Sequence, residues 1–265
     1  MIYLKTYFYV PHEIKFLVMN LIESYNHIDK FIICEYNRTH TGEPRKFIFE
    51  EYKHMFPEEI QDKILYLPCD ISEDVVEAHN NEDVIHQINE PVMRSCFMTN
   101  LEFDDEDIII SVDADEIIYG ESYEYILDEV KKNDVVRLNL YQFFYKMNYL
   151  WEDKDFVSPI ATKYKVFRGQ YPCNFRDVGK IVSNKVGCHF SWCMSPQEMV
   201  YKLYTYSHPK YRFCANEDLL REAIDKKTYP FDDSVDFRIK ELEMNDEVLP
   251  TCVKNQSQLL EKVLA

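Results

Sequence analysis

The chain has 265 residues, 46% of them hydrophobic and 15% aromatic, with 30 basic against 47 acidic side chains for a net charge of -17. The apolar content excludes a disordered chain, and the length supports one domain with two functional halves, about 1–118 and 119–265, around a substantial core. The negative charge excludes electrostatic capture of nucleic acid or anionic lipid, so a polyanionic ligand needs a metal bridge or a local basic patch.

The first third alternates strand and helix patterns in the manner of βαβ units. Residues 2–10 alternate like a strand, and Pro11 opens a helix whose apolar positions Ile14, Leu17, Val18, Leu21, Ile22 and Tyr25 share one face. Short buried strands follow from Phe31 to Cys34, ending at Glu35, and from Lys63 to Leu67. A helix is expected from about Asp83 to Leu101, with Pro91 as a kink or fresh start. Ser122 is placed to cap a helix through Val130, and β-rich runs cover Val135 to Tyr149 and Tyr164 to Phe167. Ser195-Pro196-Gln197-Glu198 reads as a capping box opening a helix that runs to about His208-Pro209, and Asn216 as the cap of one more. The tyrosine-rich run Tyr141 to Tyr149 reads as strand packing or as the lining of an acceptor groove.

No apolar run is long enough to span a membrane and the N-terminus does not read as a signal peptide, so a cytoplasmic protein with no membrane span is expected. With five glycines, the chain carries neither the dinucleotide fingerprint nor the Walker loop. Its eight cysteines are scattered, and Cys34, Cys69 and Cys96 in apolar runs are expected as reduced core thiols. Cys188-His189 followed by Cys193 suggests zinc, but a second Cys or His pair at zinc-finger spacing is missing.

The chemistry concentrates at Asp107 to Glu116, an apolar β-branched run tipped by Asp113, Asp115 and Glu116. A buried parallel strand delivers its last residues to the carboxyl edge of a sheet, where α/β proteins bind ligands. Crowded carboxylates repel unless protonated or bridged by a hard cation such as Mg²⁺ or Mn²⁺. Two enzyme classes use such a tip: nucleotide-sugar glycosyltransferases, where the carboxylates hold a cation against the donor diphosphate, and dehalogenase-like phosphatases, where Asp113 would be the nucleophile. A non-catalytic glycan-binding protein is the third reading.

Further segments decide between them. Phe31 to Thr39, Gly42 to Arg45, Asp113 to Ile117, Gly187 to Cys193, and Lys202-Leu203 through Tyr206-Ser207-His208 closely resemble glycosyltransferase family 17, in order from about Tyr7 to Asp232. That family includes the enzyme adding bisecting N-acetylglucosamine to N-glycans. Two departures are Cys188, where the family usually has Trp, and Ile118, where it usually has Pro. The resemblance implies a GT-A-like α/β fold with a central mostly parallel sheet flanked by helices. It also implies a UDP-sugar donor, UDP-N-acetylglucosamine above all, a glycan or glycolipid acceptor, and inversion at the anomeric carbon.

Inversion by direct displacement needs a base apart from the metal. Asp115 is expected as the principal Mn²⁺ or Mg²⁺ ligand, Asp113 as its helper through the ribose or a bound water, and His189 as a ligand or a hydrogen-bonded core histidine. Glu217 and Glu116 are the candidate bases, each with a bland reading as a helix-dipole or turn acid. Glu35 and Asn37, at a strand end on the same edge, can reach the nucleotide or form an ordinary turn. Arg45 and Arg94 are candidates for the diphosphate or for ion pairs. His208 is expected to contact the diphosphate or to cap a helix end, and Trp192 to stack on a sugar or pack in the core.

Overall fold

A computed structural model describes residues 1–8, 10–71 and 82–255, with the backbone alone for 8 and 82–88. Ten strands among them join one sheet: β1 (Ile2–Phe8), β2 (Lys30–Tyr36), β3 (Ile64–Cys69), β4 (Ile108–Ser111), β5 (Glu116–Ile118), β6 (Val135–Phe144), β7 (Tyr149–Phe156), β8 (Ile160–Lys163), β9 (Lys180–Ser191) and β10 (Ile239–Glu241). The longer helices are α1 (Ile14–Ser24), α2 (Glu82–Asn100), α3 (Tyr123–Lys132), α4 (Pro196–Thr205) and α5 (Glu217–Lys226).

Strands β3, β2, β1 and β4 run parallel in that order, and the apolar run of β2, buried from Phe31 to Tyr36, is that of a central strand covered on both faces. Beyond β4 the sheet turns antiparallel through β8, β6, β7 and β10, while β9 runs parallel to β6 and antiparallel to β5. One face of the sheet packs Tyr7, Ile32, Met93, Phe97 and Leu203 beneath α2 and α4. The other packs Leu4, Leu17, Leu21, Ile33 and Ile126 beneath α1 and α3. Successive β1 residues therefore enter opposite cores.

Lys5 breaks that pattern. It is fully buried, with its Nζ 5.1 Å from the Tyr7 ring centre and no hydrogen-bond partner among the described residues. Burial lowers its pKa to about 8, the direction expected when an ammonium loses its water.

Several boundaries differ from the sequence reading for identifiable reasons. The run from Asp107 to Glu116 is not one strand: β4 stops at Ser111, the chain makes a tight turn, and Glu116 starts β5. Tyr164–Phe167 is a single helical turn, because β8 has already filled the edge of β4 and the Tyr164 and Lys165 amides donate to Asp107 and Asp105 instead. Helix α4 ends at Thr205, short of His208. Ser122 precedes α3 without donating or accepting a side-chain cap, whereas the Ser195–Glu198 capping box and the Asn216 cap are both formed. Cys69 and Cys96 are joined in a disulfide rather than reduced, tying the end of β3 to α2; Cys34 remains a buried thiol. The aromatics of the Tyr141 to Tyr149 run divide among cores, with Phe144 packed in a ring cluster with Trp151, Tyr229, Phe231 and Phe237.

Candidate active site

The carboxyl ends of β1 and β4 open into a cavity of about 310 Å³. Asp113 and Asp115 enter it from the turn after β4, which is tightly made: the Glu116 amide donates to the Asp113 carbonyl at 3.0 Å, and the Asp113 amide to Glu116 Oε2 at 2.5 Å. Asn20 of α1, fully buried, donates to the Glu116 carbonyl at 2.9 Å and so pins the turn from below.

The opposite wall arrives from far along the chain. β5 pairs with β9 so that Glu116 faces His189 and Ile118 faces Gly187, and the Phe190 amide donates to the Asp115 carbonyl at 2.9 Å. The strands approach so closely that a Cβ on Gly187 would lie 2.2 Å from the Ile117 oxygen; only glycine fits. Alternation along β9 turns His189 to the cavity, while Cys188 and the following Cys193 sit in a core with Phe16, Ile117 and Phe190. That placement rules out a zinc site shared by the two thiols and His189. The two departures from the family pattern, Cys188 and Ile118, are both core positions.

His189 Nδ1 lies 2.9 Å from Gln142 Oε1, and Gln142 Nε2 donates to the Phe143 carbonyl at 3.0 Å. The amide is thereby oriented oxygen-first toward the ring, so Nδ1 carries the hydrogen and Nε2 presents a lone pair. Burial lowers the His189 pKa to about 4, against the pull of Asp115, and the ring is neutral. Its bare Nε2 points at Asp115 Oδ1, 3.7 Å away, and Lys202 Nζ stands 3.7 Å from Asp115 Oδ2. Both separations exceed hydrogen-bond length, so Asp115, only 5% exposed, accepts no side-chain hydrogen bond among the described residues.

A lone pair facing a buried carboxylate at this spacing fits a divalent cation between them, with a second-shell amide orienting the histidine. Asp115 and His189 could thus hold Mn²⁺ or Mg²⁺, leaving the other positions to phosphate oxygens and water. No group of three or more His, Cys, Asp or Glu side chains able to hold a metal occurs among the described residues. Asp113 is drawn out of such a set: Arg94 grips both its oxygens, at 2.5 and 3.0 Å, and Arg176 stands 3.7 Å away. Burial opposes its charge, but the two guanidiniums hold its carboxyl well below the usual range.

Of the other expected residues, Arg94 and His208 line the cavity; the exposed His208 precedes Pro209 at the mouth instead of capping α4. Glu35, Asn37 and Arg45 stand outside it. Glu35 is fully buried and accepts from Arg45, the Ile48 and Phe49 amides and the Tyr66 hydroxyl, while Asn37 accepts from the Ile71 amide. Glu116 lies behind the wall, paired with Arg176 at 3.3 Å and pushed up to about 8 by burial and Asp113. Glu217 is on the surface, paired with Arg221. Neither candidate base reaches the cavity.

Four charged residues of the cavity escaped the sequence reading, Glu90 of α2 among them. Glu13 ends a short turn (Pro11–Glu13) after β1, Arg176 follows the irregular stretch 172–175, and Lys202 projects from α4. Only Lys202 carried a signal, lying within a segment that resembles the family. Trp192 holds φ at 57°, a conformation strained for so bulky a residue, and its ring forms cavity wall between Tyr206 and Phe231.

The sequence profile of glycosyltransferase family 17 matches residues 7–236. No curated protein matches the chain. Among solved structures, one of the galactosyltransferase LgtC in complex with donor and acceptor sugar analogs is similar over 63% of this chain and 59% of that one, with 8% identity and a TM-score of 0.37. The chain thus spans less than two thirds of LgtC. S. aureus TarS 1-349 is similar over 84% of this chain and 73% of that one, with 10% identity and a TM-score of 0.38. The profile covers most of the length, and with it the chain, whose described residues fold as a mixed α/β structure, belongs to glycosyltransferase family 17.

Proposed function

We propose that the protein is a divalent-cation-dependent, inverting glycosyltransferase that moves N-acetylglucosamine from UDP-N-acetylglucosamine to a glycan or glycolipid. The observation that carries this reading is the buried Asp115 carboxylate, which accepts no side-chain hydrogen bond among the described residues and faces the bare Nε2 of a neutral His189 in a cavity that also holds Arg94, Arg176 and Lys202. A bound Mn²⁺ or Mg²⁺ would neutralise charge on the departing diphosphate.

The chain's own residues supply the rest. Arg94 and Arg176 present guanidiniums on one wall and Lys202 an ammonium on the other, so an anionic ligand meets positive charge from two sides in spite of the overall negative charge. Asp113, locked ionised by Arg94, fixes those guanidiniums and offers an acceptor edge to a ribose hydroxyl. Tyr7, Phe156, Trp192 and Tyr206 provide apolar faces against which a base or sugar can pack. In this reading the parallel half, about 1–118, carries the nucleotide and the remainder the acceptor. Asp113 is a poor nucleophile when chelated by Arg94, and family membership removes the phosphatase alternative.

A thermal-shift panel of UDP-, GDP- and CMP-sugars, with and without Mn²⁺, tests the reading, since a ligand that binds only the native state raises its melting temperature. UDP-sugars should stabilise, more so with Mn²⁺, and release UDP on incubation. Stabilisation by GDP-sugars alone would overturn the donor, and glycan binding that persists in EDTA without UDP release would favour a binding protein.

A further inference from the structure

Inverting transfer leaves one role unfilled, the base that takes the proton of the acceptor hydroxyl. Among the described residues four carboxylates line the cavity, on Glu13, Glu90, Asp113 and Asp115. Asp113 is gripped by Arg94, and Glu90 accepts from the same guanidinium at 2.9 Å. Burial opposes the charge of Glu90, but Arg94 and His40 outweigh it and lower its pKa. Asp115 faces His189. Glu13 alone is committed to neither a guanidinium nor a histidine: its Oε1 lies 3.3 Å from Lys202 Nζ, and its Oε2 accepts no hydrogen bond among the described residues.

We propose that Glu13 is the general base of the transfer, an inference that rests on the inverting reading above. In the step, the acceptor oxygen forms a bond to the anomeric carbon as its proton passes to Glu13 Oε2. The bond from that carbon to the diphosphate oxygen breaks, and its electron pair leaves with the diphosphate. Glu13 stands where β1 gives way to α1, so its carboxylate is set by the sheet and by a helix start rather than by a loose loop. Lys202 is a positioning residue, holding Glu13 from one side and Asp115 from the other.

The surroundings suit the task. Burial pushes the Glu13 carboxyl up to about 7, against Lys202 and with Asp115 and Asp113. A base works best when its proton affinity lies near the working pH. The groups facing it are Lys202 from α4 and Asp113 and Asp115 from the turn after β4, while His12 on its own turn is half-buried and neutral.

The test uses the whole chain, UDP-N-acetylglucosamine with Mn²⁺, and either water or an N-glycan core as acceptor, reading UDP release. In Glu13→Gln, nearly isosteric, kcat should fall by about 10²- to 10⁴-fold, with the UDP-induced thermal shift retained and the acid limb of the kcat/KM profile gone. Glu13→Asp, which keeps the acid but shortens its reach, should fall between. Placed in a Lys202→Met background, Glu13→Gln should still cost a further large factor. Turnover of Glu13→Gln close to the native rate, or no added loss in the Lys202→Met background, would overturn the proposal. Were the native chain itself to release no UDP from any UDP-sugar, the donor reading would fail first, and the two failures are told apart by that control.

Discussion

Two carboxylate clusters stand at the ends of parallel strands in one sheet, and both hold an arginine. At the end of β2, Glu35 meets Arg45 at 2.8 Å and fills its remaining lone pairs with two backbone amides and a tyrosine hydroxyl. Beyond β4, Asp113 meets Arg94, but the carboxylate of Asp115 beside it accepts no hydrogen bond among the described residues and looks into a cavity. The difference teaches that an acidic strand end becomes a binding site when the fold withholds donors from it. Where the chain supplies every donor itself, the same chemistry is a structural knot.

Each cluster can be broken separately. Asp115→Ala should lower UDP-sugar turnover by about 10³-fold with the circular dichroism unchanged, since among the described residues that carboxylate accepts no side-chain hydrogen bond and meets Lys202 and His189 only at 3.7 Å. Full activity there would place the cation elsewhere. Glu35→Ala should do the reverse: it strands a buried Arg45 and two amides, costing about 3–5 kcal/mol of unfolding free energy in denaturant titration, while the UDP-induced thermal shift survives. If that shift vanished with the fold intact, Glu35 would belong to the site after all.

The disulfide between Cys69 and Cys96 sharpens the contrast, because it joins β3, on the Glu35 side, to the helix that carries Arg94. Cys69→Ser should cost about 2–4 kcal/mol, mostly by freeing the unfolded chain, and should lower stability more than donor affinity. The smallest effect concerns protonation at the cavity's edge. Burial, with Lys202 and Lys15, lowers the His12 pKa to about 3, whereas the unfolded chain keeps its ordinary value near 6.5. Above that ordinary value both states are neutral and the stability is intact; as pH falls from there the unfolded state binds the proton first and stability drains away. His12→Gln should flatten this part of the melting-temperature profile, recovering about 1–2 kcal/mol at the acid end.

Much of this was readable in advance. The carboxylate tip of β4, the Pro11 helix start, the Ser195 capping box and the Asn216 cap depend on neighbours a few residues away, which a linear reading can see. Glu35 misled because its position at a strand end carries no record of the amides of Ile48 and Phe49, which return to it after a loop. Glu13, Arg176 and Lys202 were overlooked for the same reason, since each reaches the cavity through packing between distant segments. The polar strand β10 was missed because its partner β7, not its own sequence, makes it a strand.

The β5–β9 ladder, with its glycine-tight approach at Gly187, has a consequence for how such a chain can change. Asp115 and His189 are held together by a fixed count of ladder rungs, not by the residues between them. Chain may be inserted or trimmed between Gly120 and Val178, at surface turns, with Asp115 and His189 still in register. One added residue between Asp115 and Ile118, or between Gly187 and Phe190, would shift the ladder register and break the apposition of Asp115 and His189. Length variation in the segments between these two strands is thereby uncoupled from the spacing of Asp115 and His189.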